Sequence, residues 1–220
     1  MVKEGYHHGD LRRALLDAAA QAIEEQGPAA LSLRALARRA GVSHAAPTHH
    51  FGDKAGLLTA LAEEGYGRLA DELTAEWAAS RSFVEQGVAY VRFARRHRAH
   101  FEVMFRPDLY NAGEPGVVAA RERARQALYA GVAEARAMVG GQSGAPEDAT
   151  APDVREPAGG AGEGQPAEIR AAGLAAWSIA HGFAALSTGG ALQDLPGDPD
   201  EIARIVLSRL PAPDSSDAAD

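Results

Sequence analysis

Residues 28 to 54 contain the pattern that most restricts the fold of this chain. Apolar residues recur at helical spacing from Leu33 to Ala37, and a second short helical segment runs from Ser43 to about Phe51. Between them lies a turn whose Gly41 can adopt the positive φ that a sharp reversal requires. The pattern predicts two short helices joined by a tight turn, the arrangement called a helix-turn-helix.

The ends of the first three predicted helices are indicated by residues that commonly cap helices. Asp10 is the predicted N-cap of a helix that Gly27-Pro28 ends. Ser32 and Ser43 are the predicted N-caps of the two short helices. Pro47 then lies near the end of the first turn of the third helix, where it removes at most one helical hydrogen bond.

Helical spacing of apolar residues continues through the rest of the chain. Further helices are predicted at about 54–79, in two segments within 83–105, and at 115–139, 167–190 and 199–210. The segment 140–166 is rich in Gly, Ala, Pro and acidic residues, which predicts a mobile loop, and the tail 211–220 is predicted to be disordered. With no convincing strand, we expect an all-α protein of about nine helices, with domains at 1–54 and 55–210.

The net charge of −8 is unevenly distributed. Basic and acidic residues balance up to Arg68, so the whole excess of negative charge follows it. The first third contains a local group of cations at Arg34, Arg38, Arg39 and Lys54. A phosphate-binding surface needs local positive charge rather than a basic total, so the composition does not exclude a nucleic acid as the partner.

Several other classes of protein fit the sequence poorly. No apolar run approaches the roughly 20 residues that span a bilayer, and the first residues lack the apolar stretch of a signal peptide. The sequence therefore predicts a cytoplasmic protein without a membrane segment. The chain has no cysteine, and its paired histidines, such as His49-His50, lack evident ligand partners, so we expect no metal and no other cofactor.

Three segments resemble the TetR family of bacterial repressors. They are Leu31 to Ser43 (LSLRALARRAGVS), His49 to Lys54 (HHFGDK) and Leu57-Leu58. In that family a helix-turn-helix domain binds a palindromic operator as a dimer, and a variable helical C-terminal domain binds a small effector. The resemblance implies that residues 1–54 bind DNA and that residues 55–210 bind an effector and form the homodimer.

The resemblance also implies which residues contact double-stranded DNA. The residues implied to contact phosphates are Ser32, Ser43, His50 and Lys54. Those implied to contact bases are His44, Ala45 and His49. The predicted set also includes Arg34, from the local group of cations, and Thr48. Thr48 is a departure, since the family usually has a tyrosine there, and the hydroxyl of threonine can still donate a hydrogen bond.

Trp177, His181 and Gly182 resemble the Trp-x-x-x-His-Gly (WHG) signature of one type of C-terminal domain found in TetR-like regulators. Small residues recur along the same helix and predict a dimer seam; they are Ala172, Gly173, Ala176, Ala180 and Ala184. The predicted effector pocket collects aromatic residues, one methionine and one histidine: Tyr90, Phe93, Phe101, Met104, Phe105, Trp177 and His181. The same aromatic residues can equally form an ordinary core.

The sequence thus predicts a dimeric DNA-binding transcription regulator, a repressor that a small effector releases from a palindromic operator. Two DNA-reading helices must lie about 34–36 Å apart to enter successive major grooves on one face of the DNA. Two alternatives stay open at this stage. One is an all-helical enzyme that uses His181 as a base, although no nucleophile or paired carboxylate is evident beside it. The other is a helical interaction protein that does not bind DNA.

Overall fold

The computed structural model describes residues 8–140 and 167–209, and every regular secondary-structure element within them is a helix. The prediction of an all-α protein is confirmed. The predicted loop after Gly140 and the tail from Pro211 lie outside the described residues. A short 3-10 helix covers Pro28–Ala30, and the α-helices are α1 His8–Gln26, α2 Leu33–Arg39, α3 Ala46–Phe51, α4 Lys54–Ser80, α5 Phe83–Arg96, α6 Arg98–Met104, α7 Pro115–Gly140, α8 Ala167–Thr188 and α9 Pro199–Leu207.

The helices form two compact units. The head unit contains residues up to Arg68 together with His97–Arg121, and the body unit contains Leu69–Arg96 together with the residues from Glu122 onward. Helices α4 and α7 contribute residues to both units. The functional boundary at residue 54 stays a prediction.

The beginnings of two helices differ from those predicted. Helix α1 starts at His8, so Asp10 lies inside it and is not the N-cap. Helix α3 starts at Ala46, after a turn in which the Ala46 amide donates to the Ser43 carbonyl oxygen at 3.0 Å, so Ser43 is not its N-cap. Pro47 explains the later start. As the second residue of α3 it lies where an N–H would have no helical acceptor, so the proline removes no hydrogen bond.

The start of α2 and the following turn agree better with the prediction. Ser32 occupies the N-cap position with an extended backbone, although its side chain makes no capping hydrogen bond. Helix α2 ends at Arg39, and Gly41 has a φ of 67°. Since an L side chain at that φ is strained, glycine allows the chain to reverse between α2 and α3.

In the head unit, α1, α2 and α3 pack against one another around a small apolar core. Leu15 and Ile23 of α1 and Leu36 of α2 are at most 2% exposed. Pro28 and Pro47 are also buried. Helix α1 also packs against α6. Burial of these side chains on one face leaves the opposite side of α2 and α3 available to solvent.

In the body unit, α8 and α9 pack against α5. The small residues of α8 are covered by other helices of the chain: Ala176, Ala180 and Ala184 are buried, and a Cβ at Gly173 would lie 2.5 Å from Cε1 of Tyr129 in α7. The small-residue face is therefore used inside the chain, and the prediction that it forms the dimer seam is wrong. Such residues let helices approach closely, but the sequence does not say whether the partner helix belongs to the same chain.

Candidate nucleic-acid interface and effector site

The exposed surface of α2, α3 and the turn between them contains the predicted DNA-contacting residues. Most of their side chains are open to solvent, and His50 and Lys54 are half-buried. The exposed set consists of Ser32, Arg34, Ser43, His44, Ala45, Thr48 and His49. His44 and Ala45 lie in the turn before α3, so the candidate base-reading surface includes this turn as well as the helix.

Lys54 has a structural contact in addition to its predicted role. Its ammonium group donates a hydrogen bond to the Ala29 carbonyl oxygen at 2.8 Å. This bond ties the start of α4 to the 3-10 helix before α2. It also fixes the position of one positive charge beside the helix-turn-helix.

The local group of cations is smaller than the sequence indicates. Arg39 forms an ion pair with Glu25 of α1, with a shortest N–O distance of 2.5 Å, and so joins α1 to α2. This contact supplies a structural role for Arg39. Arg34 and Arg38 are exposed on α2. A phosphate surface on this side of α2 thus depends on two arginines rather than three.

Arg12 of α1 is a candidate that the sequence analysis missed. Its guanidinium carbon lies 5.3 Å from the centre of the Phe51 ring, a cation–π contact at the end of α3. The side chain is exposed, so it brings a further positive charge to the α3 end of the head. The contact joins residues far apart in the sequence, and no local pattern signals it.

Glu64 of α4 joins three helices of the head unit. Its carboxylate forms ion pairs with Arg13 of α1, at 2.7 Å, and with Arg68 of α4, and it lies 3.6 Å from Nε2 of the buried His100 of α6. Burial by itself raises the pKa of this carboxyl group, but His100, Arg13 and Arg68 outweigh burial and lower the pKa to about 2. Glu64 therefore stays ionised over the physiological pH range.

The packing of α4 on α6 is close at the residue next to Glu64. A Cβ at Gly65 would lie 2.5 Å from Sδ of Met104. Tyr66 donates a hydrogen bond to the Met104 carbonyl oxygen at 2.9 Å. Glu64, Gly65 and Tyr66 thus fix α6 against α4 within the head unit.

Three residues of the predicted effector pocket meet in the body unit. The Tyr90 hydroxyl lies 2.9 Å from Nδ1 of His181, and Nε1 of Trp177 donates a hydrogen bond to the Tyr90 oxygen at 3.3 Å. Burial raises the pKa of the Tyr90 phenol and lowers the pKa of the His181 imidazole. Both shifts favour the uncharged forms, so the group is polar and neutral near pH 7.

The other four residues of the predicted pocket are distributed over both units. Phe93 is 0% exposed and belongs to the core of the body unit. Phe101, Met104 and Phe105 belong to the head unit, where the rings of Phe101 and Phe105 lie 5.0 Å apart. The sequence pattern does not distinguish aromatic residues that share a pocket from those that share only a helical spacing.

A small cavity of about 20 Å³ adjoins Tyr90 and Trp177 in the body unit. That volume has room for about one water molecule. Most of its lining was not predicted, and consists of Phe83, Val84, Gln86, Gly87, Leu128, Ala176, Ala180 and Leu207. The lining comes from α5, α7, α8 and α9, and only the folded arrangement brings these helices together.

No helix in the described part of the chain is long and apolar enough to cross a membrane. In residues 8–140 and 167–209, no group of three or more His, Asp or Glu side chains could hold a metal ion.

Helix α1 packs against α2 and α3, which are joined by a tight turn at Gly41 and have an exposed outer surface. This arrangement defines a helix-turn-helix protein. Comparison with protein families matches residues 15–61 to the bacterial regulatory proteins of the tetR family and residues 83–210 to the tetracyclin repressor-like C-terminal domain. The chain belongs to the TetR family. This family consists of transcription regulators rather than enzymes, and the WHG type of C-terminal domain stays a prediction.

Curated relatives match part of the chain. The HTH-type transcriptional regulator BetI of Rhizobium meliloti is 39% identical over 85 residues, which are 39% of this chain and 42% of that protein. BetI of Escherichia coli K12 is 43% identical over 60 residues, 27% of this chain and 31% of that protein. The chain spans less than half of the length of these relatives.

Solved structures match nearly the whole chain. A Rhodococcus protein of unknown function is 34% identical, with a TM-score of 0.69 over 94% of this chain and 96% of that one. The TetR family regulator PfmR of Thermus thermophilus is 21% identical, with a TM-score of 0.59 over 88% and 94% of the two chains. The second likeness concerns the fold alone.

Proposed function

We propose that this protein is a DNA-binding transcription regulator, a repressor that a small effector releases from a palindromic operator. The observation that carries the proposal is the exposed surface of α2, the turn and α3 in a chain of the TetR family. Because bacterial DNA lies in the cytoplasm, the proposal includes a cytoplasmic location. The regulator acts through binding and needs no cofactor of its own.

The predicted DNA-contacting residues of the head divide into two proposed roles. Ser32, Ser43, His50, Lys54 and Arg34 position the protein on phosphates. His44, Ala45, Thr48 and His49 face the base edges in the major groove. Phosphate contacts set affinity for any DNA, whereas base contacts distinguish the operator from other sequences.

The two roles predict different effects of alanine substitutions. We expect Arg34→Ala to weaken binding to operator and unrelated DNA alike, and to reduce the slope of log affinity against log salt by about 1. We expect His44→Ala to weaken operator binding by roughly 1–3 kcal/mol and to leave binding to unrelated DNA unchanged. Fluorescence anisotropy with the intergenic DNA beside the gene measures both effects.

A matched control for Arg34 is Arg96→Ala, which removes an exposed arginine from the body unit. It should change neither affinity nor salt slope. Footprinting of the wild-type protein on the same DNA should protect a palindrome. An all-helical enzyme or an interaction protein would protect no site, and its affinity for DNA would change equally in all three variants. That result would overturn the proposal.

The homodimer that the proposal requires has a candidate surface on the outer faces of α8 and α9. Leu174, Ile179 and Leu186 of α8 are 40%, 38% and 51% exposed, and Ile205 of α9 is 59% exposed. Exposed apolar residues that cluster on neighbouring helices mark sites of protein association. This surface replaces the buried small-residue face as the proposed seam.

Leu186→Glu is therefore expected to convert the dimer into a monomer, because each copy would bury an unpaired carboxylate in the apolar interface. Sedimentation velocity measures the change, and the affinity for a palindromic operator should fall with it. Val118→Glu is the control, since Val118 is 42% exposed but belongs to the head unit. A Leu186→Glu protein that sediments like the wild type would contradict this seam.

The effector site of the proposed regulator lies at Tyr90, Trp177 and His181. The support for it is the hydrogen-bonded contact of these residues beside a cavity in the body unit. The same three residues include the tryptophan and histidine of the WHG pattern. An effector that prefers one of two conformations shifts the equilibrium between them, and so can change DNA affinity from this unit.

A further inference from the structure

The cavity beside Tyr90 has an almost entirely apolar wall with a polar group at one end. Phe83, Leu128, Ala180 and Leu207 supply apolar surface, and the hydroxyl of Tyr90 is held by His181 and Trp177. Gln86 also borders the cavity, but its amide nitrogen is used, since it donates to the Leu73 and Ala127 carbonyl oxygens at 3.3 and 3.1 Å. The Gln86 Oε1 is buried and has no hydrogen-bond partner among the described residues. The polar groups at the wall are therefore this oxygen and the Tyr90 hydroxyl with Nε1 of Trp177.

No ionised side chain lines the cavity. The charges on the neighbouring helices are paired outside it: Arg204 with Glu85 at 2.6 Å, and Arg92 with Asp200 at 2.9 Å. A charged ligand group entering the cavity would lose its hydration without gaining a counter-ion, which is costly. An uncharged ligand avoids that cost.

Helix α9 forms the wall that can move. It has nine residues, and its Leu207 packs against Gly87 so closely that a Cβ at Gly87 would lie 2.8 Å from Cδ1 of Leu207. Helix α9 is held in the body unit by the buried side chains of Ala203 and Leu207 and by partly exposed ion pairs with α5, and such ion pairs contribute little to stability. Displacement of the Leu207 side chain would enlarge the cavity without disturbing the packing of α5 on α8.

We propose that the cavity under α9 becomes the binding site of an uncharged, mainly apolar ligand when the Leu207 side chain is displaced, and that the single hydrogen-bonding group of this ligand bonds to Tyr90 at the polar end of the cavity. This inference rests on the proposed function only in taking that ligand to be the effector. The binding itself does not require DNA.

The test is a titration of the full-length chain with benzyl alcohol as the probe. The chain has two tryptophans, so Trp77→Phe leaves Trp177 as the only one, and its fluorescence reports on the cavity. Benzyl alcohol should change this fluorescence saturably. Benzoate and benzylammonium, which have the same ring and a charge, should bind at least tenfold more weakly. Equal binding of either ion overturns the proposal, as does the absence of benzyl alcohol binding.

Two variants locate the site. Tyr90→Phe should weaken benzyl alcohol binding by about two- to tenfold and leave toluene binding unchanged, because only the alcohol loses a hydrogen bond. Ala180→Leu should fill the cavity and abolish binding, whereas Ala185→Leu, on the exposed side of α8, should have no effect. If Ala180→Leu does not fold, the affinities of Tyr90→Phe for benzyl alcohol and for toluene still test the proposal. Equal losses of affinity for both probes contradict the hydrogen bond to Tyr90.

The titration contains no DNA, so its outcome is separate from that of the operator experiments. A protein that binds benzyl alcohol but no operator retains the ligand site and loses the proposed function. A protein that binds an operator but none of the neutral probes retains the function and loses this inference.

Discussion

Phe93→Ala is expected to lower the free energy of unfolding by about 3–5 kcal/mol. Phe93 is 0% exposed and is among the largest fully buried side chains of the body unit. Removal of a buried phenyl ring costs the free energy of its transfer from water and leaves a cavity that the surrounding helices fill only in part. Urea denaturation followed by circular dichroism measures the loss.

This experiment also separates two roles that the sequence left open for Phe93. Phe83 on the same helix is the control, because it is only half-buried and borders the cavity. Phe83→Ala should cost clearly less stability than Phe93→Ala and should alter binding of a cavity ligand. If Phe93→Ala is as stable as Phe83→Ala, Phe93 does not have the core role that its burial indicates.

Glu64→Gln is expected to lower the free energy of unfolding by about 1–2 kcal/mol at pH 7. The substitution keeps the size of the side chain and removes the charge that Arg13, Arg68 and His100 surround. Hydrogen bonds to charged groups contribute more than neutral ones, but Arg13 and Arg68 are partly in water, which weakens their contribution. Glu24→Gln, at an exposed position of α1, is the charge-matched control and should have little effect.

The effect of Glu64→Gln should depend on pH. The pKa of Glu64 is lowered from 4.5 to about 2 in the folded protein, so the unfolded chain takes up a proton first as the pH falls. The stability that Glu64 contributes is complete above about pH 4.5 and is lost as the pH falls towards 2. The stability difference between wild type and Glu64→Gln should therefore shrink between pH 5 and pH 2. Parallel stability curves over that range would contradict the assigned role.

Other carboxyl groups titrate in the same range but do not confuse this comparison. The pKa of Glu85 is lowered, first of all by its hydrogen bond with Arg204, and that of Glu25 is lowered by Arg39. Both groups are present in wild type and in Glu64→Gln. Their contributions to the acid dependence therefore cancel in the difference.

Short-range features of the chain were predictable from the sequence. The end of α1 at Gln26, the turn at Gly41 and the length of α4 follow from glycine, proline and apolar spacing, all of which act within a few residues. The start of α3 was predicted too early because Ser43 is a good capping residue. The penalty for proline inside a helix outweighed that preference, and the helix begins one residue before Pro47.

The partners of individual side chains could not be predicted in this way. Arg39 looks like a DNA-binding cation in the sequence, but its ion pair with Glu25 exists only because α1 and α2 pack together. In the same way, Ala180 looks like part of a dimer seam and is instead covered by the chain itself. Residue spacing defines a face of a helix, and it contains no information on what covers that face.

The sequence by itself determined that the chain is helical, where its helix-turn-helix lies and which family it resembles, because local propensities and a continuous motif carry that information. Only the tertiary structure decided that Tyr90 of α5 meets Trp177 and His181 of α8. These residues lie on helices separated by long stretches of chain. Their contact depends on the packing of α8 against α5, which no local pattern specifies.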